Sequence, residues 1–358
     1  MAVAAAGGRL RHCLRSQWFF NETIHVPGGG SGVADGWNLA LAAPSQTPSM
    51  TKTAIPRRAF LHSLSAATGV VSLAHNLTSL QNSDLEKAFN EIRANLLEMV
   101  NEERAVAKVP PVAVDKLAQE VATRHAIDMA KREFVSHWGS DGLKPYHRYS
   151  FAGGTHATEE NVSAADSTWS TRLPDLKQDT AYLHVRLYQE TPPNDGHRKA
   201  ILAPQHTHVG FGLAVERLRL RLVEMFVAKY VEVNPLTRVA KPGAQITFAG
   251  KMLKPEYLFN SVEVFYEPLP QAPEMSWLSQ PRSYALPTES RILRPKLPPP
   301  FVYLDKGAGL VKVEMDGSFT APVKFYRKEP GIYTIVTWIK RQKGDPAFRA
   351  TEVCVRAE

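Results

Sequence analysis

Between Tyr188 and Gly212 one short stretch holds Glu190, Asp195 and three histidines, His197, His206 and His208, around the turn-forming run Pro192-Pro193-Asn194-Asp195-Gly196. Prolines and glycine end a helix arriving at Glu190, and Asn194 or Asp195 stands where it can cap a new one starting near His197. A histidine in a first helical turn meets the positive end of the helix dipole, which disfavours imidazolium. His197 is therefore a candidate neutral ring that accepts a proton or binds a metal. The plainer alternative is a capped turn whose histidine bonds backbone. His137 in FVSHWGSDG and Glu160 in ATEENVSA lie in loop-like sequence, where side chains on a rigid scaffold converge.

Other chemistry is missing from the sequence. It contains no H-E-x-x-H, C-x-x-C, G-x-S-x-G or P-loop pattern. Gly210-Phe211-Gly212 lacks the third glycine of a dinucleotide fingerprint and leads into alternating apolar residues, so it is a strand glycine pair. His206 and His208 are better explained by solvent or core hydrogen bonds than as added ligands. His125 lies on an apolar helical stripe and is better explained as a hydrogen-bonded core residue than as a ligand.

The chain has 358 residues and a formal charge of +8, with ordinary globular composition and length enough for two domains. Residues 1–49 are rich in Ala, Gly and Ser without apolar period, and are expected to be an unstructured leader or to precede the true start. Met50 opens MTKTAIPRRAFLHSLSAATGVVSLA, in which Arg57-Arg58, an apolar run and small residues near Ala74 have the form of a twin-arginine signal peptide over 50–74. The competing reading is a short membrane-touching helix. If His75 is the first mature residue, the formal charge falls to +4. With no basic run interleaved with aromatics left, a nucleic-acid partner is not expected. Nor is a membrane span, for no later stretch has about twenty apolar residues. The expected location is periplasmic or extracellular, with Cys354 alone outside the leader and the fold held by its cores.

Ser83-Asp84-Leu85-Glu86 has the form of a capping box, and Leu85, Phe89, Ile92, Leu96 and Met99 predict a helix from there to about Ala107. Leu117, Val121, His125 and Met129 predict a second helix, and residues 179–190 a third. Alternating residues from Val209 to Val215, from Leu218 to Leu222 and through MFVAKYVEV predict strands. Helices first and strands late imply an α+β domain with an antiparallel sheet.

In VNEERAVAKVPPVAVDKLAQEVATRHAIDMAKREFVSHWG, then EENV, then GHRKAILAPQHTHVGFGL, the chain resembles the CAP superfamily, or SCP domain, of cysteine-rich secretory proteins, antigen 5 and pathogenesis-related proteins, in its bacterial form. The resemblance spans about Leu96 to Asn234. It implies a three-layer α-β-α sandwich and a cavity tetrad at His137, Glu160, Glu190 and His197, with Asp195 the alternative to Glu190. His137 closes the F-x-S-H element, Glu160 precedes Asn161, and His197 follows Gly196. Two departures stand out: Glu159 occupies the place of a glycine, and the eukaryotic disulfides are absent. Such a tetrad can hold a divalent, zinc-like metal through His137 and His197, share protons in catalysis, or form a buried polar network that shapes a groove.

From Lys241 the pattern changes to short alternating runs, at 244–249, 261–266, 309–314, 318–326, 332–340 and 350–356, which predict an all-β immunoglobulin-like sandwich over 241–358. Pro-rich residues 268–300 are expected to be a loop insertion, with Trp277 and Tyr284 either a contact surface or tucked onto the sandwich. The CAP domain is placed at 83–234, with few contacts crossing a junction at 235–242 and the two domains folding separately. The implied function is an exported, non-enzymatic binding module for an envelope or extracellular lipid, glycan, peptide or protein, or for a divalent metal such as zinc. The alternative is a metal-dependent peptidase using the same cleft, with Glu160 or Glu190 as base.

Overall fold

The computed structural model describes residues 67–166, 173–303, 309–342 and 344–358, with side chains from 83 to 166 and again from 175. The expected leader, 1–49, and the first part of the expected export signal, 50–66, lie outside the described residues. Of two compact units, one contains Lys87–Glu358, and the architecture below concerns that unit.

In chain order the first half comprises α1 (Ala67–Val106), β1 (Ala113–Val114), α2 (Lys116–Arg132), α3 (Pro145–Phe151), β2 (Ala157–Ala165), α4 (Leu173–Tyr188), α5 (Gly196–Leu202), β3 (His208–Glu216) and β4 (Arg219–Ala228). The capping box at Ser83 does not start a helix. No glycine or proline occurs between Val70 and Val106, so nothing in the backbone stops α1 from running through it. Asp115 does cap α2, its carboxylate accepting from Ala118 N at 2.6 Å. The segment before Glu160, expected as loop, contains α3, and Pro145 at its first turn was the available signal.

The sheet order is β1-β3-β4-β2, antiparallel apart from the two-residue parallel β1, and β2 lies at an edge. Period-2 alternation sends Gly210, Gly212, Val223, Met225 and Glu160 to one face and Phe211, Glu224 and Asn161 to the other. On the first face α2 packs so closely that a Cβ on Gly210 or Gly212 would come within 2.1 Å of its backbone. Both glycines are there for close approach. On the second face lie α1, whose Arg93 Nε donates to Phe211 O at 3.2 Å, and α4, whose His184 reaches Glu224. The result is the expected α-β-α sandwich.

The second half comprises β5 (Val231–Val233), β6 (Val239–Ala240), β7 (Gln245–Met252), β8 (Leu258–Pro268), α6 (Met275–Leu278), β9 (Ser290–Pro295), β10 (Gly309–Val313), β11 (Ser318–Lys324), β12 (Gly331–Lys340), β13 (Phe348–Arg349) and β14 (Val353–Ala357). The bonded order is β5-β7-β11-β10-β9-β8-β12-β14-β6, with β13 on β12. This path folds back on itself. Phe248, Phe319, Ala321 and Val323 from one end share a core with Val262, Val264, Tyr333, Ile335 and Val353 from the other, which makes an all-β sandwich. Two details differ from expectation. Val231–Val233 pairs with β7, so the second sheet begins before Asn234, and the Pro-rich segment supplies α6 and the strand β9 that joins the two sheets.

The expectation of few crossing contacts is not met. Glu352, buried, accepts from Thr158 N at 2.9 Å and from Thr158 Oγ1 at 3.2 Å, while Arg349 pairs with both Glu352 (2.5 Å) and Glu159 (3.1 Å). Cys354 N donates to Ser150 Oγ at 2.7 Å. Tyr146, Ile332 and Cys354 form an apolar cluster with Phe151, Tyr284 and Leu286. The reason is the edge position of β2: its outward amides need partners, and the second half supplies them. Calorimetry of the whole chain is expected to give one transition over both halves, with Arg349→Ala destabilising it by about 2–4 kcal/mol because Glu352 is left buried and unpaired. Two separate transitions, with only the later half sensitive to Arg349→Ala, would contradict this.

Candidate functional site

Strand β2 carries Thr158-Glu159-Glu160-Asn161, and these four residues connect most of the elements named above. Glu160 is fully buried. Its Oε1 accepts from His137 Nδ1 at 2.9 Å and its Oε2 from Arg148 Nη2 at 2.6 Å, with His125 Nε2 at 4.0 Å from Oε1. Burial alone would raise the Glu160 pKa, but Arg148 and the two histidines overcome it and hold the carboxyl at about 2. His137 goes the other way: burial pushes its ring down to about 4, against the pull of Glu160. With Nδ1 donating to the carboxylate, the neutral ring has its lone pair on Nε2. His125 is likewise held at about 4 by burial and bonds Ser136 O through Nε2 at 2.8 Å. It is a core residue, as expected, and it also lies against Glu160.

The second pair is built at the other helix layer. Glu190 follows α4, and its carboxylate accepts from His197 Nδ1 at 2.5 Å and from His197 N at 2.9 Å. Glu190 therefore takes up an amide of the first turn of α5. Asp195 occupies the cap position without making a side-chain cap bond and pairs instead with Lys199 at 2.7 Å. The acid that reaches His197 is Glu190 rather than Asp195. The rings of His137 and His197 lie 6.4 Å apart, centroid to centroid. All four tetrad residues thus come together, but unequally: the side chains of His137 and Glu160 are 1% and 0% exposed, those of His197 and Glu190 12% and 18%.

Around the tetrad Arg148, Glu224, His184 and Glu103 were not singled out from sequence, whereas Tyr284 was, as a contact or tucking aromatic. Arg148, on α3, also donates to His137 O at 2.7 Å and Leu143 O at 2.7 Å. Tyr284, from the Pro-rich segment, accepts from Glu160 N at 2.7 Å and packs on the His137 ring at 4.5 Å. The two aromatics of that segment therefore differ: Trp277 tucks onto the first half, meeting Trp138 edge-on at 5.4 Å, while Tyr284 touches both the first half at His137 and the sandwich at the Ile332–Cys354 cluster. On the opposite face Asn161 Nδ2 donates to Glu224 Oε2 (3.0 Å) and His197 O (3.2 Å), and His184 bridges Glu224 (2.6 Å) and Glu103 (3.1 Å). Burial opposes charging of His184, but the two carboxylates raise it to about 10, so it is an imidazolium that ties α4 to α1 and β4. His206 is a core residue, donating from Nδ1 to Ala200 O at 2.8 Å and stacked on Phe226. His208 bonds the neighbouring Thr207 hydroxyl at 2.8 Å. Glu159, the departure from glycine, pairs with Arg349, so it serves the contact between the halves.

Both tetrad carboxylates are committed to imidazole Nδ1 atoms, where they orient rings as carboxylates do behind metal-bound histidines. The tetrad then offers an ion two imidazole nitrogens, fewer than the three protein ligands of a catalytic zinc. Among the described residues no group of three His, Cys, Asp or Glu side chains is arranged to hold a metal. These residues do not fit a catalytic zinc centre.

Residues 97–230 match the family model described as CAP, the cysteine-rich secretory protein family. What the match identifies is a CAP domain over these residues, not the chain as a whole. Among solved structures it is similar to an SCP-domain extracellular protein from Bacillus anthracis str. Ames, at 22% identity over 39% of this chain and 41% of that one, with a TM-score of 0.30. It is also similar to an outer surface protein from Borrelia burgdorferi, at 15% identity over 38% of this chain and 92% of that one, with a TM-score of 0.31. A cysteine-rich secretory protein from Staphylococcus aureus matches at 16% identity over 39% of each chain, with a TM-score of 0.26. The chain spans about two fifths of the Bacillus and Staphylococcus proteins. No curated protein matches it. Among the described residues no helix is long and apolar enough to cross a membrane.

The titration directions set a pH dependence. His125 and His137 have folded pKa values near 4, below their ordinary value, so the stability they contribute is present above about pH 6.5 and is lost as pH falls towards 4. His184 has the opposite sign, contributing below about pH 6.5 and losing its effect as pH rises through 10. Unfolding free energy measured in urea is expected to fall between about pH 6.5 and 4 by up to roughly 1.4 kcal/mol per pH unit for each buried neutral histidine. The slope should be shallower in His125→Gln. A wild-type profile flat over this range would contradict the assignment.

Proposed function

We propose that the chain is an exported binding protein whose CAP cleft engages an envelope or extracellular ligand at its His197–Glu190 side, without turning it over. The observation that carries this reading is the inequality of the two His–Glu pairs. His137, Glu160 and Arg148 are closed into a compensated buried network, as a rigid wall requires. His197 and Glu190 keep partial access to solvent, as a ligand-contacting pair requires. Hydrolysis by a metal-activated water is less well supported, because the carboxylates that would act as bases are bonded to the histidines that would act as ligands. A divalent ion held by His137 and His197 alone remains compatible with the binding role. Export rests on the twin-arginine pattern at Arg57-Arg58, and the division into a CAP domain at 83–234 and an immunoglobulin-like module at 241–358 is part of the same proposal. Two of the solved chains are themselves described as extracellular or outer-surface proteins.

The test is an array of envelope glycans, lipid vesicles and synthetic peptides probed with wild type and His197→Ala, each ligand being recovered and weighed by mass spectrometry. At least one class is expected to bind wild type and to lose about tenfold or more in affinity, or roughly 1.4 kcal/mol, with His197→Ala at unchanged melting temperature. Chemical conversion of the bound ligand, or equal binding by both proteins, would overturn the reading.

A further inference from the structure

The segment that follows β8 lies across the first half in an unusual state. After α6, residues 281–288 make no backbone–backbone hydrogen bond among those described for either half. They are held through side chains. Leu278 is fully buried in the α2 core cluster, where Trp277 packs at its margin against Trp138, and Arg282 lies over Trp277 at 4.3 Å. Leu286 joins the cluster around Tyr146 and Cys354. Between these anchors Tyr284 packs on His137, and its hydroxyl accepts the outward amide of Glu160. Upstream, Gln271 O is so near Gly142, which has φ +79°, that a Cβ there would lie 2.4 Å from it. The strap thus follows the 137–143 loop and ends on the edge of β2.

We infer that this strap, Trp277–Leu286, is an internal occupant of the CAP cleft, and that the ligands of the cleft are extended peptides bearing an aromatic side chain that takes the place of Tyr284. The inference rests on the binding role proposed above and names its ligand class. Three features of the strap argue for it. An edge strand with outward amides is the usual docking place for an extended peptide; here the Glu160 amide is met by a side-chain hydroxyl and the Thr158 amide by the Glu352 carboxylate, not by a strand. Tyr284 packs on the His137 ring at 4.5 Å while its hydroxyl meets the Glu160 amide, so one side chain supplies an apolar ring and a polar tip together, as an aromatic residue of a peptide does. A segment tied down only by side chains is exchanged more readily than one in a ladder.

The experiment uses the full chain and a fluorescein-labelled peptide of sequence WLSQPRSYAL, the strap itself, followed by fluorescence anisotropy. Tyr284→Ala is expected to bind this peptide about tenfold or more tightly than wild type, in which the internal copy competes. The same peptide with its tyrosine replaced by alanine should lose that gain. If Tyr284→Ala does not fold, Tyr284→Leu keeps an apolar side chain for the Tyr146 cluster and carries the same expectation. Equal affinity of wild type and variant for the peptide, or no binding by a folded variant, overturns the inference. If that happens while His197→Ala still abolishes capture of a glycan or lipid on the array, the binding role stands and only the peptide class is lost. If His197→Ala changes nothing on the array either, the binding role itself has failed.

Discussion

A carboxylate with no exposure to water sits at the middle of this molecule, and its charge has to be answered from several directions at once. An unpaired ion at that depth would be neutralised or expelled. Glu160 instead receives Arg148 on one oxygen and His137 on the other, with His125 close by. Each partner comes from a different element: α3, the loop after α2, and α2 itself. The ion pair therefore holds the first helical layer against the sheet edge. Its position also fixes the His137 ring, which cannot turn without breaking the bond that keeps Glu160 compensated.

The same strand binds the rest. Alternation along β2 sends Thr158 and Glu160 to one side and Glu159 and Asn161 to the other, and each makes its own connection. Thr158 meets Glu352, Glu159 meets Arg349, and Asn161 meets Glu224 and the backbone of His197. An edge strand in a CAP sheet has amides to satisfy. In this chain the β-sandwich and the strap that leaves it satisfy those at Thr158 and Glu160, which is why the halves share one compact unit and why a residue from the second half, Tyr284, packs on the His137 ring.

Much of this was legible in the sequence, and for local reasons. The α2 stripe, the alternation of β3 and β4, and the turn ahead of His197 all follow from spacing and turn chemistry within a dozen residues. Resemblance to the family placed His137, Glu160, Glu190 and His197, and the geometry brings these four together. Other features depend on pairings that no local pattern carries. Arg148 lies in a seven-residue helix signalled only by Pro145, and Tyr284 stands 124 residues from the amide it meets. The reach of α1 past Ser83 shows a favourable cap overridden by a chain with nothing to stop its helix. Strand β9 was hidden because prolines flank a run that pairs at the seam between two sheets. Glu190, and not Asn194 or Asp195 as expected for the cap, takes up an α5 amide through a contact that only the fold creates.

The account depends most on His137 being a neutral ring, protonated at Nδ1 and fixed by Glu160, while the more exposed His197–Glu190 pair is left for the proposed ligand. Long-range nitrogen–proton NMR of the histidine rings, followed across a pH titration, reads both tautomer and pKa directly. His137 should hold its proton on Nδ1 and remain neutral until close to pH 4. A His137 ring titrating near the ordinary value of about 6.5, or carrying its proton on Nε2, would contradict the account.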